Sequence, residues 1–141
     1  MEAHGYLTRQ SSWICNVPYD VRMSLEHDDR PWGSYDVLVD DVDHKVKTIT
    51  VLPGKRLSYQ RHEKRGEVWI VARGQLTVVL EGEEFVKNVG EAVDVPRGAA
   101  HRMVNATDKP VVVIELQHGD YFGEDDIERI EDDFGREGTN T

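Results

Sequence analysis

The chain has 141 residues, of which 27 are acidic and 17 basic, and its formal net charge is −10. This length fits one domain with a core of its own, and the negative charge argues against nucleic acid as a partner because phosphate backbones would be repelled. The one cysteine, Cys15, has no intrachain disulfide partner. With no signal-peptide pattern and no run of roughly 20 apolar residues for a membrane-spanning helix, we expect a cytoplasmic protein with no membrane partner.

The first 29 residues differ from the rest because their aromatic and charged side chains follow no regular period. We interpret residues 1–29 as an N-terminal extension that adds a strand to its own sheet or to that of a neighbouring copy. Residues 30–136 are predicted to form the single domain, and residues 137–141 a C-terminal tail.

The domain is predicted to consist of short β-strands separated by turns. The predicted strands span residues 35–39, 45–52, 56–62, 67–72, 75–80, 84–86, 92–95, 101–105 and 111–116. The turns carry glycines that are expected to have positive φ, namely Gly54, Gly74, Gly90 and Gly98. A short helix is predicted over residues 126–133, where Ile127 and Ile130 are three apart. This all-β pattern indicates a sandwich or a jelly roll.

Two blocks of residues stand out by their spacing. The first runs Gly54, five residues, Gln60-Arg61-His62, four residues, Glu67, six residues, Gly74. The second runs Gly90, five residues, Pro96-Arg97-Gly98, two residues, His101, three residues, Asn105. These spacings resemble both motifs of the cupin superfamily at every position but one, since Gln60 stands where that family has a histidine. The resemblance implies an all-β, single-domain cupin, a double-stranded β-helix or jelly-roll barrel, with one metal ion inside.

The spacing also has a physical meaning. Gln60 and His62 are two apart on a predicted strand and therefore project to the same face, and Glu67 returns after a short hairpin. His101 comes from a strand that is distant in sequence. Two imidazoles, one carboxylate and one amide oxygen suit a divalent transition metal, for which we expect zinc, with cobalt, nickel, manganese or iron also compatible.

A closer resemblance covers residues 30–136. The segments Arg30-Pro31-Trp32-Gly33-Ser34-Tyr35, Leu57-Ser58-Tyr59-Gln60, Glu67-Val68-Trp69 and Gly119-Asp120-Tyr121-Phe122-Gly123 are similar to the type II mannose-6-phosphate isomerase cupin. In that family the metal site begins with glutamine, which accounts for Gln60. The resemblance implies a metal-dependent isomerase that interconverts mannose 6-phosphate and fructose 6-phosphate.

Two features of the chain qualify this resemblance. That cupin is often joined to a sugar-nucleotide pyrophosphorylase, but the preceding residues are too few for a nucleotide-binding domain, so we expect no such activity here. The loop after His62 is also altered to Glu63-Lys64-Arg65-Gly66, which keeps Arg65 and puts the preferred sugar in question.

The isomerase reaction needs cations for the phosphate and a base for the transferred proton. Arg56 and Ser58 share the face of Gln60 if the strand alternates regularly, and Lys47 lies on the apolar face of its own strand. These three residues are predicted to bind substrate. Arg65 is a further candidate for the phosphate and is assigned a catalytic role.

Glu115 is the candidate base, because it interrupts an otherwise apolar strand. Both faces of that strand carry apolar residues, so alternation does not decide whether Glu115 faces water or the cavity.

Two other functions remain open at this point. One is a non-catalytic sugar-phosphate-binding cupin, and the other is an oxidative cupin that uses Fe(II), since two histidines and a carboxylate also support oxygen chemistry. The expected partner is a small-molecule sugar phosphate. We also expect a homodimer, with residues 13–19 as the contact in the extension.

Overall fold

The computed structural model describes residues 24–138, which form eleven β-strands. The strands are β1 (Glu26–Arg30), β2 (Gly33–Asp40), β3 (His44–Val51), β4 (Tyr59–Arg61), β5 (Arg65–Arg73), β6 (Leu76–Leu80), β7 (Glu83–Lys87), β8 (Ala92–Val95), β9 (His101–Val104), β10 (Val111–Gly119) and β11 (Glu128–Glu131). The predicted dimer contact, residues 13–19, lies outside the described residues.

The strands of residues 24–138 form two antiparallel sheets that face each other. One sheet has the order β1-β2-β3-β10-β5-β8, and the other has the order β11-β4-β9-β6-β7. Alternate residues point into the space between them, as on β10, where Val111, Val113, Glu115 and Gln117 are buried and their neighbours are more exposed. The chain therefore has the predicted cupin fold, with a core rich in valine and tryptophan.

The β6–β7 hairpin shows how local sequence sets the strand register. Its two-residue loop, Glu81 and Gly82, has positive φ at both positions, 49° and 78°, which is the backbone that matches the twist of paired strands. The Glu81 carboxylate accepts a hydrogen bond from the backbone N–H of Ala100, next to the start of β9. The predicted turn glycines at positions 54, 74, 90 and 98 also have positive φ, between 70° and 86°.

The N-terminal part of the described chain adds a strand to its own sheet. β1 pairs with β2 along its whole length, from Glu26 opposite Val37 to Arg30 opposite Gly33. This is one of the two alternatives that the sequence left open, and it carries the sheet across the boundary predicted at residue 30.

The helix predicted over residues 126–133 is wrong. Glu128–Glu131 is strand β11, which pairs antiparallel with β4, and residues 24–138 contain no α-helix. The three-residue spacing of Ile127 and Ile130 does not mark a packed face, because Ile130 is 39% exposed while Arg129 between them is buried. Within the described part of the chain, no helix has the length and apolar character needed to cross a membrane.

Candidate metal centre

Three buried side chains from separate segments meet between the two sheets. His62 follows β4, Glu67 lies on β5, and His101 begins β9. Nε2 of His62 is 3.5 Å from Oε1 of Glu67, and Nε2 of His101 is 3.7 Å from Oε2 of the same carboxylate. The ligand atoms of the three residues lie within 4.8 Å of one another, so together they could hold one metal ion.

Hydrogen bonds orient both imidazoles in the way that a metal ligand requires. Nδ1 of His62 lies 2.6 Å from the backbone oxygen of Asp126, and Nδ1 of His101 lies 2.8 Å from that of Ala99. A carbonyl oxygen only accepts, so each Nδ1 carries a hydrogen, and in the neutral ring Nε2 then holds the lone pair directed at the cluster.

The charge states of the cluster also suit a cation. Burial lowers the pKa of His62 to about 4, so its ring is neutral near pH 7. Burial opposes ionisation of Glu67, but His101, Arg65 and His62 outweigh that effect and hold the pKa of its carboxyl below the usual range. Neutral imidazole and ionised carboxylate are the forms that ligate metals.

Gln60 faces the cluster from β4, directly opposite His101 in the β4–β9 pairing. Its Oε1 accepts a hydrogen bond from the Ser58 hydroxyl at 2.5 Å, and its Nε2 lies 3.3 Å from Nε2 of His62. A rotation of the amide would exchange the two atoms and present the oxygen to the cluster, since amide oxygen and nitrogen have nearly the same shape. The structure thus brings the fourth predicted ligand beside the other three.

Two observations show that these residues fit a divalent cation. The buried Nε2 of His101 has no hydrogen-bond partner among the described residues, which is costly for a polar atom unless a ligand satisfies it. A void of about 10 Å³ lies beside it, lined by Gln60, Glu67, His101 and Glu115 among others, which leaves room for about one water-sized occupant.

Arg65 shares this centre. Its Nε donates to Oε1 of Glu67 at 3.1 Å, and its Nη2 donates to Nε2 of His62 at 3.1 Å. A guanidinium hydrogen and a metal ion compete for the same imidazole lone pair. Ligation by His62 therefore requires the hydrogen bond from Arg65 to be released.

A larger cavity of about 80 Å³ adjoins the centre. Residues of both sheets line it, and among the described residues its wall carries five basic side chains and two carboxylates. The basic residues are Arg30, Lys47, Arg65, Arg129 and Arg136, and the acidic ones are Glu115 and Glu124. In a chain of strongly negative net charge, this concentration of cations makes the cavity suited to an anionic ligand.

Glu115 faces this cavity and not the solvent, which answers the question that alternation left open. It is 6% exposed, and its Oε1 accepts a hydrogen bond from Nε2 of Gln117 at 2.6 Å. Burial and the negative charge of Glu67 raise the pKa of Glu115 to about 7, against the opposing effect of Lys47 and Arg65. A carboxyl with such a pKa can both accept and release a proton near neutrality.

Lys47 and Ser58 also lie where the sequence predicted, on the cavity wall. Lys47 is 6% exposed, and its Nζ stacks over the ring of Tyr35 at 4.3 Å and lies 3.4 Å from Oε1 of Glu124.

Arg56 is the exception among the predicted site residues. Its Nε and Nη2 donate to the carboxylate of Asp133 at 2.8 and 2.7 Å, on a partly exposed surface, and it does not line the cavity. Regular alternation from Gln60 does not extend back to Arg56, because β4 begins only at Tyr59. The structure therefore does not bring Arg56 to the cavity wall, and the prediction of a shared face was wrong at this residue.

The sequence interpretation missed three cations of the cavity wall, Arg30, Arg129 and Arg136. Arg30 lies in a segment that carries the family resemblance, but nothing in its own strand pattern pointed inward. Arg129 alternates with exposed Glu128 and Ile130, which is a strand signal that the predicted helix obscured. Arg136 is held by two hydrogen bonds from its guanidinium to the buried carboxylate of Asp132, at 2.7 and 3.2 Å.

Comparison with proteins of known sequence gives relatives that are much longer than this chain. Over 107 residues the chain is 45% identical to the alginate biosynthesis protein AlgA of Pseudomonas aeruginosa, which covers 76% of this chain and 22% of AlgA. It is 41% identical, over 76% of its length, to a mannose-1-phosphate guanylyltransferase of Klebsiella pneumoniae, of which it covers 23%. The chain thus spans less than a quarter of these relatives.

Comparison with solved structures supports the fold. A cupin-superfamily sugar phosphate isomerase from Silicibacter pomeroyi superposes with a TM-score of 0.55 at 22% identity, over 60% of this chain and 58% of that one. The model of the mannose-6-phosphate isomerase C-terminal family matches residues 21–132, which is most of the sequence and includes every residue of the metal centre. The chain therefore belongs to the mannose-6-phosphate isomerase C-terminal family.

Proposed function

We propose that this chain is a metal-dependent sugar-phosphate isomerase that interconverts mannose 6-phosphate and fructose 6-phosphate. The main support for this proposal is that a group able to hold a metal ion lies next to a cavity suited to an anion. The group of His62, Glu67 and His101 could hold a metal ion, and it opens onto a cavity whose wall is rich in cations and contains the buried carboxyl of Glu115.

The proposed cofactor is one divalent transition metal, with zinc as the first candidate. His62, Glu67 and His101 would hold it, with the amide oxygen of Gln60 as a weaker fourth ligand. A bound divalent cation would supply Lewis acidity, which polarises the substrate's carbonyl and hydroxyl oxygens.

The chain's own residues would perform the remaining steps. Glu115 would take a proton from one carbon of the substrate, C1 or C2, and return it to the other, a task suited to its pKa of about 7. Arg65, once released from His62, would donate hydrogen bonds to the oxygens on which negative charge develops. Gln117 would orient Glu115 through the hydrogen bond between their side chains.

The substrate's phosphate would lie against the cations of the cavity wall. Lys47 remains a candidate from the sequence, and Arg30, Arg129 and Arg136 take the role that had been expected of Arg56. Ser58 borders the same cavity, and its hydroxyl donates to Oε1 of Gln60. After the amide rotates, the same hydroxyl would accept from Nε2 and so position the fourth ligand as well as contact the sugar.

Proton exchange at C2 of the sugar provides the test. Metal-loaded chain is incubated with mannose 6-phosphate in D₂O, and loss of the C2 proton and formation of fructose 6-phosphate are followed by NMR. We expect both with wild type and neither with Glu115→Gln, at unchanged metal content. Asp94→Asn, an exposed acid on β8, is the matched control and should retain activity.

A non-catalytic sugar-phosphate-binding module is the second candidate. It is favoured by the names of the relatives, one of which is a guanylyltransferase, and by the small part of each relative that the chain covers. Binding of mannose 6-phosphate by metal-loaded protein without any exchange at C2 would support this alternative and contradict the isomerase.

A further inference from the structure

The cations of the cavity wall are held by different acids. Arg65 pairs with Glu67, Arg30 pairs with Asp28 at 2.6 Å, and Arg136 pairs with Asp132. The carboxylate within ion-pair distance of the Lys47 ammonium group is that of Glu124, on the loop between β10 and β11. Glu124 thus supplies an anion to the cavity from outside the two sheets.

The contact between Lys47 and Glu124 is long for an ion pair. Nζ and Oε1 are 3.4 Å apart, whereas charge-assisted hydrogen bonds are typically about 2.7–2.9 Å. The two partners also differ in exposure, since the Lys47 side chain is 8% exposed and that of Glu124 is 60% exposed. The lysine is fixed in the wall, while the carboxylate can leave for water at little cost.

Several other basic side chains act on the same carboxylate. Partial burial opposes ionisation of Glu124, but the charges of Lys47, Arg65 and Lys45 lower its pKa below the ordinary value. Its charge also acts on Arg30 and Arg129. Glu124 therefore lies ionised among the cations that an incoming dianion would use.

The loop can release Glu124 without losing its own attachment. Two residues further on, the Asp126 carboxylate accepts hydrogen bonds from the backbone N–H groups of Glu63 and Lys64, at 3.2 and 3.0 Å. The Asp126 backbone oxygen also accepts from His62. These contacts hold the loop at Asp126 and leave the Glu124 side chain as the part that can move.

We propose that Glu124 is a built-in competitor for the phosphate subsite: its carboxylate occupies the cations around Lys47 in the free protein and is displaced when a phosphate monoester binds. The identity of the anion rests on the proposed function. When an internal group occupies a subsite, the apparent association constant of a ligand equals the intrinsic constant multiplied by the fraction of time that the subsite is vacant. Removing the carboxylate should therefore strengthen phosphate binding.

The test measures binding of inorganic phosphate to the full chain by isothermal titration calorimetry at fixed ionic strength. Glu124→Gln keeps the size of the side chain and removes its charge, and we expect the dissociation constant for phosphate to fall about three- to tenfold. Lys47→Met should raise it by at least as much. Glu128→Gln is the matched control, because Glu128 is exposed on β11 and pairs with Arg61 at the surface. It changes the net charge equally.

An equal gain in Glu124→Gln and Glu128→Gln would reduce the effect to net charge and overturn the proposal. The proposal would also be overturned if Glu124→Gln had a wild-type melting temperature but bound phosphate no more tightly than wild type. Glu124 would then be a structural partner of Lys47. Tighter phosphate binding without exchange at C2 would leave the competitor role intact and reject the isomerase. Exchange at C2 without tighter phosphate binding in Glu124→Gln would support the isomerase and overturn the competitor role.

Discussion

The indole Nε1 of Trp69 donates a hydrogen bond to Oε2 of Glu67 over 2.8 Å. The two residues are two apart on β5, so both side chains project between the sheets, where each is almost fully buried. Arg65 donates to the other carboxylate oxygen from the same strand. Arg65 and Trp69, the two residues of β5 that flank Glu67 on the same face, therefore set the orientation of the central acid of the candidate metal centre.

Trp69→Phe should weaken metal binding although Trp69 is not a ligand. Loss of the hydrogen bond frees the Glu67 carboxylate to rotate, and such supporting contacts typically affect metal affinity about ten- to a hundredfold. Competition with a chromophoric chelator measures the affinity. Trp32→Phe is the control, since it also removes a buried indole but has no hydrogen bond to Glu67. Similar losses in both variants would assign the effect to packing.

The four proposed ligands should differ in importance. Purified wild-type chain without a histidine tag should retain about one divalent transition metal ion per protomer. His62→Ala and His101→Ala each remove a strong nitrogen donor and should lose most of it, whereas Gln60→Ala removes a weak oxygen donor that water can replace. Elemental analysis after metal supplementation and desalting gives the comparison. Equal retention in the three variants would contradict this ranking, and less than a tenth of an equivalent in wild type would reject the site.

Substitutions of Lys47 and of Arg56 should have different effects on KM for mannose 6-phosphate. Lys47→Met removes a buried cavity cation, and loss of one charge-assisted contact, worth about 1.5–3 kcal/mol, should raise KM for mannose 6-phosphate roughly ten- to a hundredfold with a smaller change in kcat. Unphosphorylated mannose should show no such rise. Arg56→Ala should leave KM unchanged and lower the free energy of unfolding by less than about 1 kcal/mol, because its ion pair is partly exposed. A rise in KM with Arg56→Ala would return Arg56 to the phosphate site.

The pair Asp132 and Arg136 should make stability depend on pH. Burial opposes ionisation of Asp132, but hydrogen bonds from Arg136 outweigh it and lower the pKa of this carboxyl in the folded state. A folded-state pKa below the unfolded value near 3.8 adds stability that is fully present well above pH 4 and is lost as the pH falls through the folded pKa.

Asp132→Asn should accordingly cost about 1–2 kcal/mol at pH 7, and the difference from wild type should shrink toward pH 3. Urea denaturation at both pH values measures it. A difference that stays the same at pH 3 and pH 7 would mean that Asp132 acts through packing and neutral hydrogen bonds and not through its charge.

We expect a homodimer in solution. Ile70 on β5 and Leu116 on β10 are 44% and 36% exposed on the face of the sheet that points away from the core, and burying such residues against a second copy would be favourable. Light scattering at micromolar concentration should give twice the 16.1 kDa chain mass. Ile70→Lys should shift the mass toward the monomer if this face is the interface, while a monomeric wild type would contradict the dimer.

The sequence by itself determined the fold class and the group at the centre of the site. His62, Glu67 and His101 could be singled out because their spacing resembles the cupin motifs, and strand alternation added that Gln60 and His62 project to the same face. Alternation also predicted that Lys47 shares a face with Ile49 and Val51, and it does, since buried and less buried residues alternate regularly from Lys47 to Val51 in β3.

The tertiary structure alone decided the rest of the site. Strand alternation gave the wrong face for Arg56 because the chain before β4 is irregular. It gave no answer for Glu115 because both faces of β10 carry apolar residues. The positions of Arg129 and Glu124 at the cavity depend on where β11 and the preceding loop pack against strands more than 60 residues earlier in the chain. Such contacts between distant segments are set by the closure of the two sheets, which no local periodicity of the chain encodes.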